Sequence, residues 1–255
     1  MAEAQDEDLS EGTLLSHLVE LRTRLFWMFG AVFLIFLALL PFSKMIFNYV
    51  AAPLVSVVPN GELIALSPVS PLTATIALTF YIALFVAMPV ILYQAWGFIA
   101  PGLYKNEKRF AFPLFATSVV LFFVGMAFAY YVVFPLIFGF VSTFTPDTVN
   151  YQPDMTEYVS FVMMVVLVFG LAFETPIATV LLVLTGITTT EKLGKARPYV
   201  FLGAFIIGML LTPPDIISQT MLAVPVYLLY EMGILMSRAV RRSGNDVAED
   251  ESNSV

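Results

Sequence analysis

Three carboxylates could do chemistry: Glu20 in the amphipathic run "HLVELRTR", Glu107 in the otherwise basic short loop "APGLYKNEKR" and Glu174 inside the apolar run "VFGLAFETPIATVLLVL". At the edge of lipid, a carboxylate can accept a bidentate hydrogen bond from a guanidinium, whose planar fork of donors fits the two oxygens. Sunk in an apolar run, it can relay a proton or hold a polar group of a ligand. That placement costs several kcal/mol by insertion scales, so Glu174 should face protein or trapped water and favour its neutral acid. Pro176, two positions on, has no N–H to give to the carbonyl of Ala172. The helix should bend there and leave a polar notch beside the carboxyl group.

These roles require the segments to lie in a bilayer, and composition says that they do. Of 255 residues 59% are hydrophobic and 12% charged, with a mean hydropathy of +0.88. Several apolar stretches approach or exceed the roughly 20 residues that cross hydrocarbon. The formal charge of −7 comes from the ends. Glu3, Asp6, Glu7, Asp8 and Glu11 precede the first apolar run, and Asp246, Glu249, Asp250 and Glu251 follow the last. Acidic, aromatic-free ends read as solvated tails, 1–12 and 241–255, and nothing in the charge pattern suggests nucleic-acid binding.

Six apolar segments predict an all-α polytopic membrane protein: about 25–42, 73–100, 113–136, 158–184, 199–212 and 216–236, within a membrane domain of residues 13–240. Lys and Arg set the orientation. Arg22 and Arg24, then Lys105, Lys108 and Arg109, then Lys192, Lys195 and Arg197, then Arg238, Arg241 and Arg242 all fall on one side, against Lys44 alone on the other. Both termini are therefore expected in the cytoplasm. The first apolar run is long and lacks a small-residue cleavage site, so a signal peptide is not indicated.

The first external loop, 43–72, carries only Lys44 and Glu62 as charges but four prolines, and is too apolar to wander in water. It reads as an ordered cap in which Pro53 and Pro68 set turns. The second, 138–157, reads as a plain polar linker. The last two spans are short: Pro198 and the Pro213–Pro214 pair enclose 14 residues, roughly 21 Å of helix. Either the bilayer thins there or partner helices cover the mismatch, unless the helix continues through Pro198. Asp215 is placed to cap the last span, with Gln219 one turn inside.

Catalytic motifs are absent. "HLVEL" is not H-E-x-x-H, and neither a G-x-S-x-G elbow nor a P-loop occurs. Zero cysteines and the single His17 leave no thiolate or imidazole metal site, and no cofactor is signalled. Any work must draw on binding energy or an ion gradient. A proton-coupled small-molecule transporter using Glu174 as relay is one reading, although no convincing internal repeat supports it. For Glu20 and Glu107, the plainer alternative to ligand binding is pairing with Arg24 at i,i+4 and with Lys108 or Arg109.

"HLVELRTR", "APGLYKNEKR", "FETP" and "GMLLTPPDIISQ", in this order on six spans, closely resemble the TatC family, the receptor core of the twin-arginine protein translocase. The resemblance covers nearly all of residues 13–240. It implies a non-enzymatic protein of the bacterial cytoplasmic membrane that binds signal peptides bearing two consecutive arginines. The residues matching the family's recognition site are Glu20 and Glu107, with Arg22, Leu103 and Arg109 near it. It also implies TatA-like and TatB-like single-span partners, docking around Thr212, Asp215 and Gln219, and homo-oligomers within the complex. Export of folded cargo would run on the proton-motive force. In that setting Glu174 becomes part of a binding groove.

Overall fold

The structure, a computed structural model, describes residues 2–55, 63–99, 111–144, 152–211 and 216–253, with side chains over 18–52, 63–98, 111–139, 152–209, 216 and 219–239. Among the described residues all regular structure is helical. Helix α1 (Ala2–Leu39) runs through a 3₁₀ turn, Leu40–Phe42, into α2 (Ser43–Val55). Pro41 is the cause: it cannot continue the α1 ladder but is tolerated in the first turn of the next element. Helix α3 (Ser70–Ile99) follows, then α4 (Ala111–Phe128), a five-residue π turn (Ala129–Val133) and α5 (Phe134–Phe144). Here Pro135 has no N–H for the carbonyl of Tyr131, and the Phe134 N–H bonds back to Ala129 in the wider π register.

Helices α6 (Met155–Ala172) and α7 (Thr175–Leu184) form one apolar run broken at Phe173 and Glu174. The next two are α8 (Thr190–Leu211) and α9 (Ile216–Asn253). Gly186, with φ of 72°, takes the left-handed conformation just past α7 and ends it, as a side-chain-free residue can at no steric cost. Thr189 then caps α8, its Oγ1 accepting from the Lys192 N–H at 3.3 Å. Helix α8 continues through Pro198 rather than starting after it, so it exceeds the 14-residue stretch between prolines while its apolar part stays short.

Among the described residues, five helical stretches are long and apolar enough to cross a membrane: Leu18–Ala52, Ser70–Phe98, Ala111–Gly139, Met155–Leu184 and Gln219–Ala239. Helix α8 supplies the short fifth segment of the sequence. Their packing is sequential at one end of the row and paired at the other. Helix α1 packs chiefly against α3, α3 and α4 pack against α6, and α9 packs against both α7 and α8. The main core lies between α3, α4, α5 and α6, with Phe85, Phe122, Phe134 and Phe169 fully buried. Gly125 lets α4 and α6 approach: a Cβ there would stand 2.6 Å from the Phe169 carbonyl oxygen.

The segment after α2 and the segment before α6 are joined, which corrects the reading of 138–157 as a plain linker. Helix α5 extends to Phe144, and Asp154 caps α6 by accepting from the Thr156 N–H at 2.8 Å and the Glu157 N–H at 3.2 Å. The same carboxylate accepts from the Leu66 N–H at 3.1 Å, and Ile64 exchanges backbone bonds with Pro153 and Met155. Those amide donors hold the Asp154 carboxyl below its ordinary range, the Leu66 N–H foremost. Pro68 does sit in a turn. Pro53 instead lies in the last turn of α2, and its side chain is outside the described residues.

Candidate functional site

Glu20 occupies the polar face of α1 and is held by the residue one turn on. Arg24 donates to Glu20 Oε1 from Nε at 3.0 Å and from Nη2 at 2.6 Å. The guanidinium then reaches across to the end of α3, where Nη2 donates to the Gly97 carbonyl at 2.8 Å and Nη1 to the Gln94 carbonyl at 3.3 Å. The last carbonyls of a helix lack intrahelical donors and carry the negative end of its dipole, so a cation is well placed there. Glu20 and Arg24 thus form one unit clamped to α3, and the i,i+4 pairing named as the plainer alternative is present. Arg22 is exposed on the same helix.

Leu103, Glu107 and Arg109 lie outside the described residues. The helix ends that flank them are described. Ile99 ends α3 two residues beyond Gly97, and Ala111, starting α4, packs with the cluster of Trp96 and Leu114.

At the α6–α7 break the Phe173 N–H bonds to Phe169 at 3.0 Å, the Glu174 N–H to Leu171 at 3.1 Å, and the Ala178 N–H to the Glu174 carbonyl at 2.9 Å. Pro176 returns nothing to Ala172, as expected of its ring. The half-buried Glu174 side chain points at α4, where Oε2 accepts from Ser118 Oγ at 2.5 Å. Its other oxygen, Oε1, is buried and has no hydrogen-bond partner among the described residues. Ser118 is 1% exposed. The carboxyl group therefore bridges two spans with one oxygen and presents a second, unsatisfied acceptor inside the bundle. Such a group stands to gain from any donor that reaches it.

Of the residues expected at the docking region, Thr212 and Asp215 lie outside the described residues. Gln219 ties the first turn of α9 to α8, its Nε2 donating to the Phe205 carbonyl at 3.0 Å. The other end of this helix pair holds a cluster that sequence reading passed over. Arg197 of α8 pairs with Glu231 of α9, Nε at 2.7 Å from Oε1 and Nη2 donating to Oε2 at 2.8 Å, and the Tyr227 hydroxyl donates to Oε1 at 2.9 Å. Glu231 is a carboxylate inside an apolar run, the same signal that singled out Glu174, and could have been found by it. Ser118 offered no such signal, because one serine in an apolar helix is unremarkable until its partner is known.

A family model described as Sec-independent protein translocase protein (TatC) matches residues 16–225. The chain belongs to the TatC family. Among curated TatC proteins, that of Azotobacter chroococcum mcd 1 is 49% identical over 246 residues, covering 96% of this chain and 95% of the relative. That of Escherichia coli (strain K12) is 51% identical over 226 residues, 88% of each chain. A crystal structure titled as the twin arginine translocase receptor TatC superposes with a TM-score of 0.78 at 39% identity, covering 88% of this chain and 98% of that one. This TatC-family chain is thus a multi-pass membrane component of a Sec-independent protein translocase. The small-molecule transporter reading is set aside by that membership.

Proposed function

We propose that the chain is the receptor for twin-arginine signal peptides, with Glu20 and Glu107 jointly holding the arginine pair at the cytoplasmic face. The observation that carries this reading is the clamped Glu20 at the α1–α3 corner. The Arg24 bonds hold the Glu20 carboxylate at this corner, beside the α3 end from which the chain toward Glu107 leaves. A preset acceptor loses less entropy when a guanidinium arrives. Arg22, Leu103 and Arg109 complete the surroundings of the site, and the chain segment carrying Glu107 springs from the α3 end that Arg24 grips.

The rest of the proposal follows the family resemblance. The six-helix domain, about residues 13–240, lies in the bacterial inner membrane with the tails and both termini cytoplasmic. The region 43–72, with Pro53, forms the external cap. TatA-like and TatB-like single-span helices dock on α8 and α9 near Thr212, Asp215 and Gln219, several copies assemble in one complex, and folded cargo crosses on the proton-motive force. The open acceptor at Glu174 forms part of the groove that receives a signal peptide or partner helix.

Photo-crosslinking from positions 20 and 107 to a twin-arginine signal peptide tests the receptor reading. Adducts are expected at both, lost when the peptide's Arg-Arg becomes Lys-Lys. Glu20→Gln with Glu107→Gln should abolish export of a folded reporter; intact export would overturn the assignment.

A further inference from the structure

On the side of the bundle capped by α2, a cavity of about 550 Å³ opens between α2, α3, the π turn and α6. Phe85, Val162 and Met163 form its floor, each no more than 2% exposed. Tyr49, Tyr130 and Tyr131 stand at its mouth, Tyr49 and Tyr131 being 72% and 70% exposed. The π turn forced by Pro135 shapes this wall, because an extra residue in the turn carries Tyr130 and Tyr131 out of α-helical register.

Depth decides what fills it. Met163 lies eight residues into the span that starts at Met155, or about 12 Å of helix, so the floor approaches the middle of a roughly 30 Å hydrocarbon layer. Water does not fit the chemistry: at about 30 Å³ each, on the order of eighteen waters would each need two to four polar partners, and the floor is aliphatic and aromatic. A spanning helix does not fit the size, since a cylinder about 10 Å wide and 30 Å long encloses on the order of 2,000 Å³. A single hydrocarbon chain fits both. The mouth is also continuous with the lipid-facing surface through the exposed Met45, Tyr49 and Tyr131, and Tyr49, three residues from the Ala52 end of its apolar stretch, can give its hydroxyl to ester or headgroup oxygens while its ring stays in hydrocarbon.

We infer that this cavity binds one acyl chain of a phospholipid from the leaflet on the α2 side, with the Tyr49 hydroxyl toward the headgroup and Tyr130 and Tyr131 lying deeper along the chain. The site is separate from the signal-peptide and Glu174 sites and does not depend on their assignment.

The test uses the full chain in phosphatidylethanolamine and phosphatidylglycerol vesicles containing a trace of phosphatidylethanolamine with a mid-chain diazirine. After illumination, adducts per residue at Met126, Val162 or Met163 should exceed those at the exposed Val120 and Leu228 by about tenfold. Met163→Trp, which fills the floor, should remove that excess and leave the two exposed controls unchanged. If Met163→Trp does not assemble, Ala127→Leu at the rim takes its place. Adducts spread evenly over cavity and controls would overturn the inference, as would an excess that survives the filled variants. Capture of a signal peptide or partner helix, instead of lipid, by a photoreactive residue at position 163 in native membranes would also overturn it.

Discussion

The guanidinium of Arg24 occupies the space that a Cβ at position 97 would need, while donating to the Gly97 carbonyl at 2.8 Å. Glycine at this position is what lets α1 reach the end of α3, and through Arg24 it fixes where Glu20 stands.

Gly97→Ala should therefore displace Arg24 and loosen the α1–α3 corner. Losing charge-assisted bonds of this kind costs roughly 1.5–3 kcal/mol when they are well shielded, and about 1 kcal/mol is expected for this half-exposed pair. A thermal melt of the purified chain measures it. In a double-mutant cycle the substitution should cost little once Arg24 is alanine, since nothing then fills the space.

Ser118→Ala would leave both Glu174 oxygens without a donor inside the bundle. A loss of about 1–3 kcal/mol is expected, the penalty of stranding a buried polar group. Glu174→Leu added to Ser118→Ala should recover much of that loss, because removing both partners strands nothing. Denaturation midpoints of the three variants in one detergent decide it; equal destabilisation by the single and double variants would contradict the pairing.

Gly233→Ala would drive a Cβ into Thr179 Oγ1 and to 2.9 Å from the Pro176 Cα. The second neighbour is backbone, so α9 must back away from the α6–α7 break at a cost of about 1–3 kcal/mol. Thr179→Ala should relieve the strain only in part. Loss of crosslinking between cysteines placed on α7 and α9 would register the displacement.

Asp154 ties the start of α6 to the segment before α3 through amide donors that favour its charged form. Its carboxyl is held below the ordinary aspartate value of 3.8, so the contribution to stability is present above that value and disappears as pH falls through the lower folded one. Hydrogen exchange at the Leu66 amide should accelerate, relative to core amides, as the pH drops below about 4. Asp154→Asn should abolish that pH dependence, the carboxamide being unable to titrate.

Spans, breaks and charge asymmetry were legible because each is a local property of the chain. Pro176 announced the interruption at Glu174, and Pro198 marked α8 as unusual, though not that the helix would run through it. Pro53 was misplaced for a related reason: proline is as compatible with the end of a helix as with a turn, and only the surrounding backbone distinguishes them. The chemistry of Asp154 escaped because its partner, Leu66, is 88 residues away and contributes an N–H that every residue but proline possesses.

By itself the sequence determined that the chain crosses a membrane several times, belongs to its family, and carries carboxylates at costly depths, because hydropathy and motif order are written residue by residue. Tertiary structure alone decided that Glu174 meets Ser118, that Glu20 is gripped by Arg24 against Gly97, and that Glu231 pairs with Arg197. In lipid every helix is apolar on most of its surface, so hydrophobic pattern does not say which faces meet. Those meetings depend on where small residues permit close approach and where a buried polar group finds its one available partner.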